Sequence, residues 1–169
     1  MFRKLRIPIV IVVTALLTQA VGLAVQAAVP GALRPPGTSR YAAVAAEDEV
    51  SISGALDWED LPGMSQSITI PTGKRGDVFV FFCGMSASTG GAFTLMYVRA
   101  MVGGSSAAPS SLRLNSSSSY FEEARCAGFH KLNIPAGAKA VHMEWMVNDL
   151  TGAPKMSVRN MIVIVNLHN

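Results

Sequence analysis

The chain has 169 residues, half of them hydrophobic and only 15% charged, with two cysteines and a formal net charge of +3. Taking Arg3, Lys4 and Arg6 from the 14 basic residues leaves 11, equal to the 11 acidic ones, so the chain beyond its first segment is formally neutral. No Lys/Arg run follows residue 6, which excludes nucleic-acid binding through a basic surface.

Met1 to Ala28 has the layout of an export signal, with Arg3, Lys4 and Arg6 ahead of an uncharged, mostly apolar run from Ile7 to Ala28. As a helix those 22 residues would reach ~33 Å, enough to cross a bilayer core. Small residues at Val25 and Ala27 frame a cleavage site, and Pro30 and Gly31 break any continuing helix. Residues 1–28 are therefore expected to be a signal peptide, or an uncleaved anchor if processing fails. Export makes the protein secreted or cell-surface, with membrane contact only if this segment is retained. The next stretch, 29–49, carries Pro30, Pro35 and Pro36 and ends in Glu47-Asp48-Glu49; it reads as a disordered Pro/Ala-rich linker.

The domain proper is expected over 50–169. Val50, Ile52, Leu56 and Trp58 alternate with polar or small residues, as a half-buried strand requires. Asp60-Leu61-Pro62-Gly63 reads as a turn, and Met64, Ile68 and Ile70 alternate again. Ile70-Pro71-Thr72-Gly73 has the chemistry of a type I turn. Asp77 to Met85 is apolar on both faces, which predicts a central strand covered on both sides. Gly90-Gly91 turns the chain into a strand over 92–102. Residues 103–119 form a long Gly/Ser-rich connection, with Leu112 and Leu114 alternating as a short edge strand. Residues 120–134 are extended, with a kink expected at Gly128. Ile134-Pro135-Ala136-Gly137 then repeats the earlier turn 64 residues on. Val141, Met143, Trp145 and Val147 alternate with His142, Glu144, Met146 and Asn148. After a turn at 151–154, the run Met161 to Val165 is again apolar on both faces.

No stretch after Ala28 has a 3.6-residue period. The sum predicts an all-β chain: an antiparallel two-sheet β-sandwich, jelly-roll-like, of about 7–8 strands. The ending, from Pro135-Ala136-Gly137 through Val141 and Trp145 to the long apolar last strand, is similar to that of many exported or phage-associated sandwiches. That similarity implies a fold and no activity.

Cys83 and Cys126, the only cysteines of an exported chain, are expected to form a disulfide. His142 and Glu144 lie at i and i+2 on one strand and so share a face. With His130 on a neighbouring strand they form a candidate metal set, against which stands the ordinary polar outer face of a strand. His168, near the C-terminus, is expected to fray. Asp57, Glu59 and Asp60 form an acidic strand end, a candidate for calcium or simply a solvated turn. Cys126 to His130 begins like the ligand loop of the cupredoxins, but no Met follows at short spacing and no His precedes Cys126, which excludes blue copper. Gly63-Met64-Ser65 and Gly84-Met85-Ser86 resemble the hydrolase elbow without its last Gly or its helix. Trp58 is the candidate ligand contact and Trp145 a core residue. Asn115-Ser116-Ser117 is an acceptor sequon for a glycosylating host.

Three functions fit. One is a non-catalytic exported module binding a surface glycan or protein. Another is a structural, oligomer-forming domain that pairs with copies of itself. The third is a small metal-dependent enzyme on His130, His142 and Glu144. No cofactor motif is present.

Overall fold

A computed structural model describes residues 39–52, 56–87, 94–115, 123–148 and 154–169, all within a compact unit from Gly37 to Asn169. The export segment, the start of the linker, the Gly90-Gly91 turn and residues 151–153 of the last turn lie outside the described residues.

Among the described residues there are eight strands and no helix. They are β1 (Ser39–Ala46), β2 (Val50–Ser51), β3 (Glu59–Ala87), β4 (Met96–Val102), β5 (Ser105–Ser106), β6 (Leu112–Arg113), β7 (Glu123–Val147) and β8 (Lys155–His168). Every pairing is antiparallel, in the order β1-β8-β3-β7-β4-β5, with β2 also on β8 and β6 also on β4. The all-β antiparallel fold expected from the alternation is present. The pairing is nested: β1 with β8, β3 with β7, β4 with β5. Winding of that long hairpin then brings β8 against β3, which is the jelly-roll type of connection.

The hydrogen-bonded ladder is one continuous sheet rather than two separate ones, because β3 and β7 each run through both of its sections. Arg75 to Ser86 of β3 pairs with residues 123–135 of β7 and, on its other edge, with β8. Glu59 to Ile70 of β3 pairs with residues 137–145 of β7, which is flanked in turn by β4. The first section is thus β1-β8-β3-β7, and the second β3-β7-β4-β5.

Both long strands change direction at the same place. Ile70 lies opposite Gly137, Arg75 opposite Pro135 and Gly76 opposite Ile134, with the register shifting between Ile70 and Arg75. The two Ile-Pro-x-Gly motifs, expected as separate turns, are therefore neighbouring halves of one corner. Gly73 (φ 77°) and Gly137 (φ 115°) take backbone conformations that a Cβ disfavours. Pro71 and Pro135 have no N–H to donate, and a corner where the ladder is interrupted asks for none. Asn133 (φ 60°) helps bend β7; its N–H donates to Asp77 Oδ1 at 2.8 Å, and its carbonyl accepts from Arg75 Nη2 at 2.7 Å. Asn tolerates that region better than most residues.

Other expectations are corrected. The tract 29–49, read as disordered, contains β1, whose eight residues pair with Asn166 through Arg159 of β8. Its Pro/Ala-rich composition conceals a strand whose pairing partner lies more than a hundred positions away. The expected strand from Val50 to Trp58 is reduced, among the described residues, to Val50–Ser51. Asp60 to Gly63 is a bulge inside β3, not a turn between strands. Gly128 keeps regular register opposite Phe81, whose ring covers it, so the strand passes through without a kink. His168 is the last residue of β8, paired with Arg75, and its Nε2 lies 3.2 Å from Asp77 Oδ1.

One face of each section enters a single core. The first section contributes Val78, Val80, Phe82, Phe129, Met161 and Val163; the second contributes Met64, Ile70, Met96, Val98, Met143 and Trp145. Each large side chain so buried contributes roughly 1.5–3 kcal/mol. Among the described residues the charged exception is Arg159. Its fully buried guanidinium donates to Pro62 O (2.9 Å) and to Asp48 Oδ1 (3.0 Å), and also to Asp48 O. Arg159 on β8 thereby holds both the β1–β2 connection and the bulge of the second section. Gly63 at that bulge has φ 76° and no room for more, since a Cβ there would sit 3.1 Å from Ala46 Cβ.

Candidate functional site

The outward faces of the two sections differ, and each is a candidate site. Residues directly opposite one another in an antiparallel sheet point to the same side. In the first section this gives three rows across four strands. They are Tyr41, Ile164, Phe79, His130; Ala43, Ile162, Phe81, Gly128; and Ala45, Asn160, Cys83, Cys126. The partners Val44 and Ala46 on the alternate positions of β1 pack on the core, which leaves Tyr41, Ala43 and Ala45 outward. Tyr41 is 80% exposed, Phe81 49% and Ile162 43%. Only His130 in these rows can carry a charge, and its ring lies tilted 6.5 Å from that of Phe79.

Cys83 and Cys126 are bonded as expected, directly opposite on β3 and β7 with Cα atoms 4.0 Å apart. Sequence gave the pairing by count alone; register supplies the reason.

The second section presents charge. Asp60 on β3 and Arg99 on β4 flank Glu144 of β7 from either side. Both Nε and Nη2 of Arg99 lie 2.5 Å from Glu144 Oε2. The guanidinium carbon sits 4.3 Å above the ring of Trp58, a cation–π contact. His142, two residues from Glu144, places Nε2 3.4 Å from Glu144 Oε1 and 3.4 Å from Asp60 Oδ1. Trp58 is half-buried rather than an open platform, while Trp145 is in the core as expected.

The proposed metal set of His130, His142 and Glu144 is not assembled. His130 lies in the first section, opposite Phe79, and its backbone bridges Ala108 through bonds of 2.7 and 2.8 Å. The corner at Pro135 to Gly137 separates it from His142. The structure instead adds Asp60: its carboxylate, the His142 imidazole and the Glu144 carboxylate offer ligand atoms all within 4.8 Å of one another. Asp60 was legible as part of an acidic strand end, but only register sets it opposite Glu144.

Two further candidates close. Both elbow-like segments, with Ser65 and Ser86, run inside β3, and no helix occurs among the described residues. Asn115 is buried, with Oδ1 accepting from the Met96 N–H (2.7 Å) and Nδ2 donating to Thr94 O (2.8 Å). Its amide caps the start of β4 and is not available to a sugar in the folded protein.

No protein-family model and no curated protein matches the chain. Among solved structures it is similar to chains of infectious bursal disease virus. Against the Gt strain it has 10% identity and a TM-score of 0.42, covering 79% of this chain and 35% of that one. Against the Gx strain it has 9% identity and a TM-score of 0.42, covering 76% and 33%. It is also similar to the tobacco streak virus coat protein, with 10% identity, a TM-score of 0.27, and coverage of 78% and 89%. The chain spans about a third of the two bursal disease virus chains, and likenesses at these scores carry no functional argument.

Proposed function

We propose that this chain is an exported, non-catalytic structural domain that associates with a second copy of itself through the outer face of β1-β8-β3-β7. One observation carries the reading. Val78 to Phe82 and Met161 to Val165 are apolar on both faces, the pattern of strands covered on both sides. The core covers one side. The other, with Phe79, Phe81, Ile162, Ile164 and Tyr41, is open to solvent in the single chain. A contiguous outward patch of this kind is the usual mark of an interaction surface. A second copy offers a matching apolar face and asks for no complementary charge, and none stands in the three rows except on His130.

A second reading, contact with a surface glycan, is favoured by Trp58, whose half-exposed indole stands beside Arg99 and Glu144. One experiment separates the two. Sedimentation velocity on the purified chain should show a dimer or larger species. Phe81→Lys with Ile162→Lys should convert it to monomer with an unchanged circular dichroism spectrum, while Trp58→Ala leaves the association intact. A wild-type chain that stays monomeric at every concentration reached removes the self-association reading. Glycan binding lost in Trp58→Ala would put the second in its place.

A further inference from the structure

We infer that the outer face of the second section holds a zinc-type divalent cation, ligated by His142 Nε2, Glu144 Oε1 and Asp60 Oδ1. The argument is geometric. His142 Nε2 stands 3.4 Å from each carboxylate oxygen, and all three atoms lie within 4.8 Å of one another. A tetrahedral zinc ion with bonds of ~2.1 Å has ligand atoms separated by ~3.4 Å along each edge. His142 Nε2 is therefore already at tetrahedron-edge distance from one oxygen of each carboxylate, and a turn of the exposed Asp60 side chain closes the third edge, between Asp60 and Glu144.

The scaffold fixes these positions from two adjacent strands. His142 and Glu144 alternate on β7 and so project on the same side. Asp60 lies directly opposite Glu144, just before the bulge between Asp60 and Ser65. Glu144 is held from behind: Arg99 takes Oε2 and leaves Oε1 facing His142. Orientation of a ligating carboxylate by an outer hydrogen bond is a regular feature of metal sites. Two carboxylates against one guanidinium leave a net negative charge for the cation to neutralise. An imidazole nitrogen among the ligands favours zinc over calcium, which takes oxygen. Asp60 is 82% exposed, so the ion can enter from solvent, and a water completes the fourth position.

This site is separate from the apolar face proposed for self-association, and the two stand or fall independently. The test is a titration of the purified, metal-stripped full chain with zinc by calorimetry, and with cobalt by visible absorption. The expected result is one ion per chain, with the intense absorption of tetrahedral cobalt. Affinity should fall at least about tenfold in His142→Ala and in Asp60→Asn, and remain unchanged in His130→Ala and His168→Ala. Asp60→Asn alters an exposed side chain, so loss of binding there cannot be ascribed to unfolding. Absence of saturable binding in the wild type, or binding that survives both His142→Ala and Asp60→Asn, overturns the assignment.

Discussion

The two sections of the sheet are built largely from the same two strands, yet their outer surfaces have opposite character. In the first, β3 and β7 present Phe79, Phe81, Cys83, Cys126 and Gly128 to the outside. Past the corner they present Asp60, His142 and Glu144. The inner faces do not differ in kind; both are aliphatic and aromatic and feed one core. A strand's inner face is thus set by the need to bury apolar area, while its outer face is free to vary. In this chain that freedom separates an apolar surface from a charged one across a single bend.

The largest expected effect strikes the first section. Cys83→Ser with Cys126→Ser opens a staple between residues 43 apart in sequence, and should lower the stability of the oxidised protein by about 4 kcal/mol. Urea denaturation with and without reductant checks it: the wild type should lose that amount on reduction and the double variant nothing. Equal midpoints for the oxidised wild type and the variant would show that the staple adds nothing to the ladder around it.

Arg159 sharpens the comparison by joining the sections. Arg159→Met keeps most of the volume but strands the Pro62 carbonyl and releases Asp48. A cost of about 2 kcal/mol is expected, since the hydrogen bonds from a charged donor to Pro62 O and Asp48 are lost while the exposed Asp48 carboxylate is simply returned to water. Thermal melts measure it, and hydrogen exchange should show β1 losing protection before β7. Uniform loss would mean that the clasp does not act on the β1 side.

The smallest effects contrast two glycines. A Cβ at Gly76, in the corner, would stand 2.8 Å from Ile70 Cδ1 and 3.2 Å from Val165 Cγ1, and Gly76→Ala should cost about 1–2 kcal/mol. At Gly128, on the outward apolar face, the nearest atoms are those of Phe81 at 3.8 Å, and Gly128→Ala should change stability by no more than about 0.5 kcal/mol. Denaturant midpoints of the two variants test whether the corner is as tightly packed as these distances state.

What could be read from the sequence follows local periodicity. Alternation made the chain all-β and set the inward residues of the first part of β3 (Met64, Ile68, Ile70) and the last part of β7 (Val141, Met143, Trp145, Val147), because a period of two sorts side chains between faces whatever the partner strand is. Asp77 to Met85 and Met161 to Val165, by contrast, are apolar on both faces and leave the inward side open. Trp145 fell on the core side by parity alone. The doubled Ile-Pro-x-Gly motif hinted at internal likeness, though as two turns. That the motifs lie beside each other and bend two strands together depends on long-range pairing, such as that of Ile70 with Gly137 and Arg75 with Pro135.

The sequence by itself determined the strand-rich class, the buried side of the alternating stretches Met64 to Ile70 and Val141 to Val147, and the identity of the two bonding cysteines, because these depend on spacing along the chain. Tertiary structure alone decided that β1 lies in the Pro/Ala-rich tract, that Asp60 rather than His130 joins His142 and Glu144, and that Asn115 is sealed against β4. Each of those results from register between distant strands. A one-residue slip of register turns a strand over, and short-range pattern does not contain that choice.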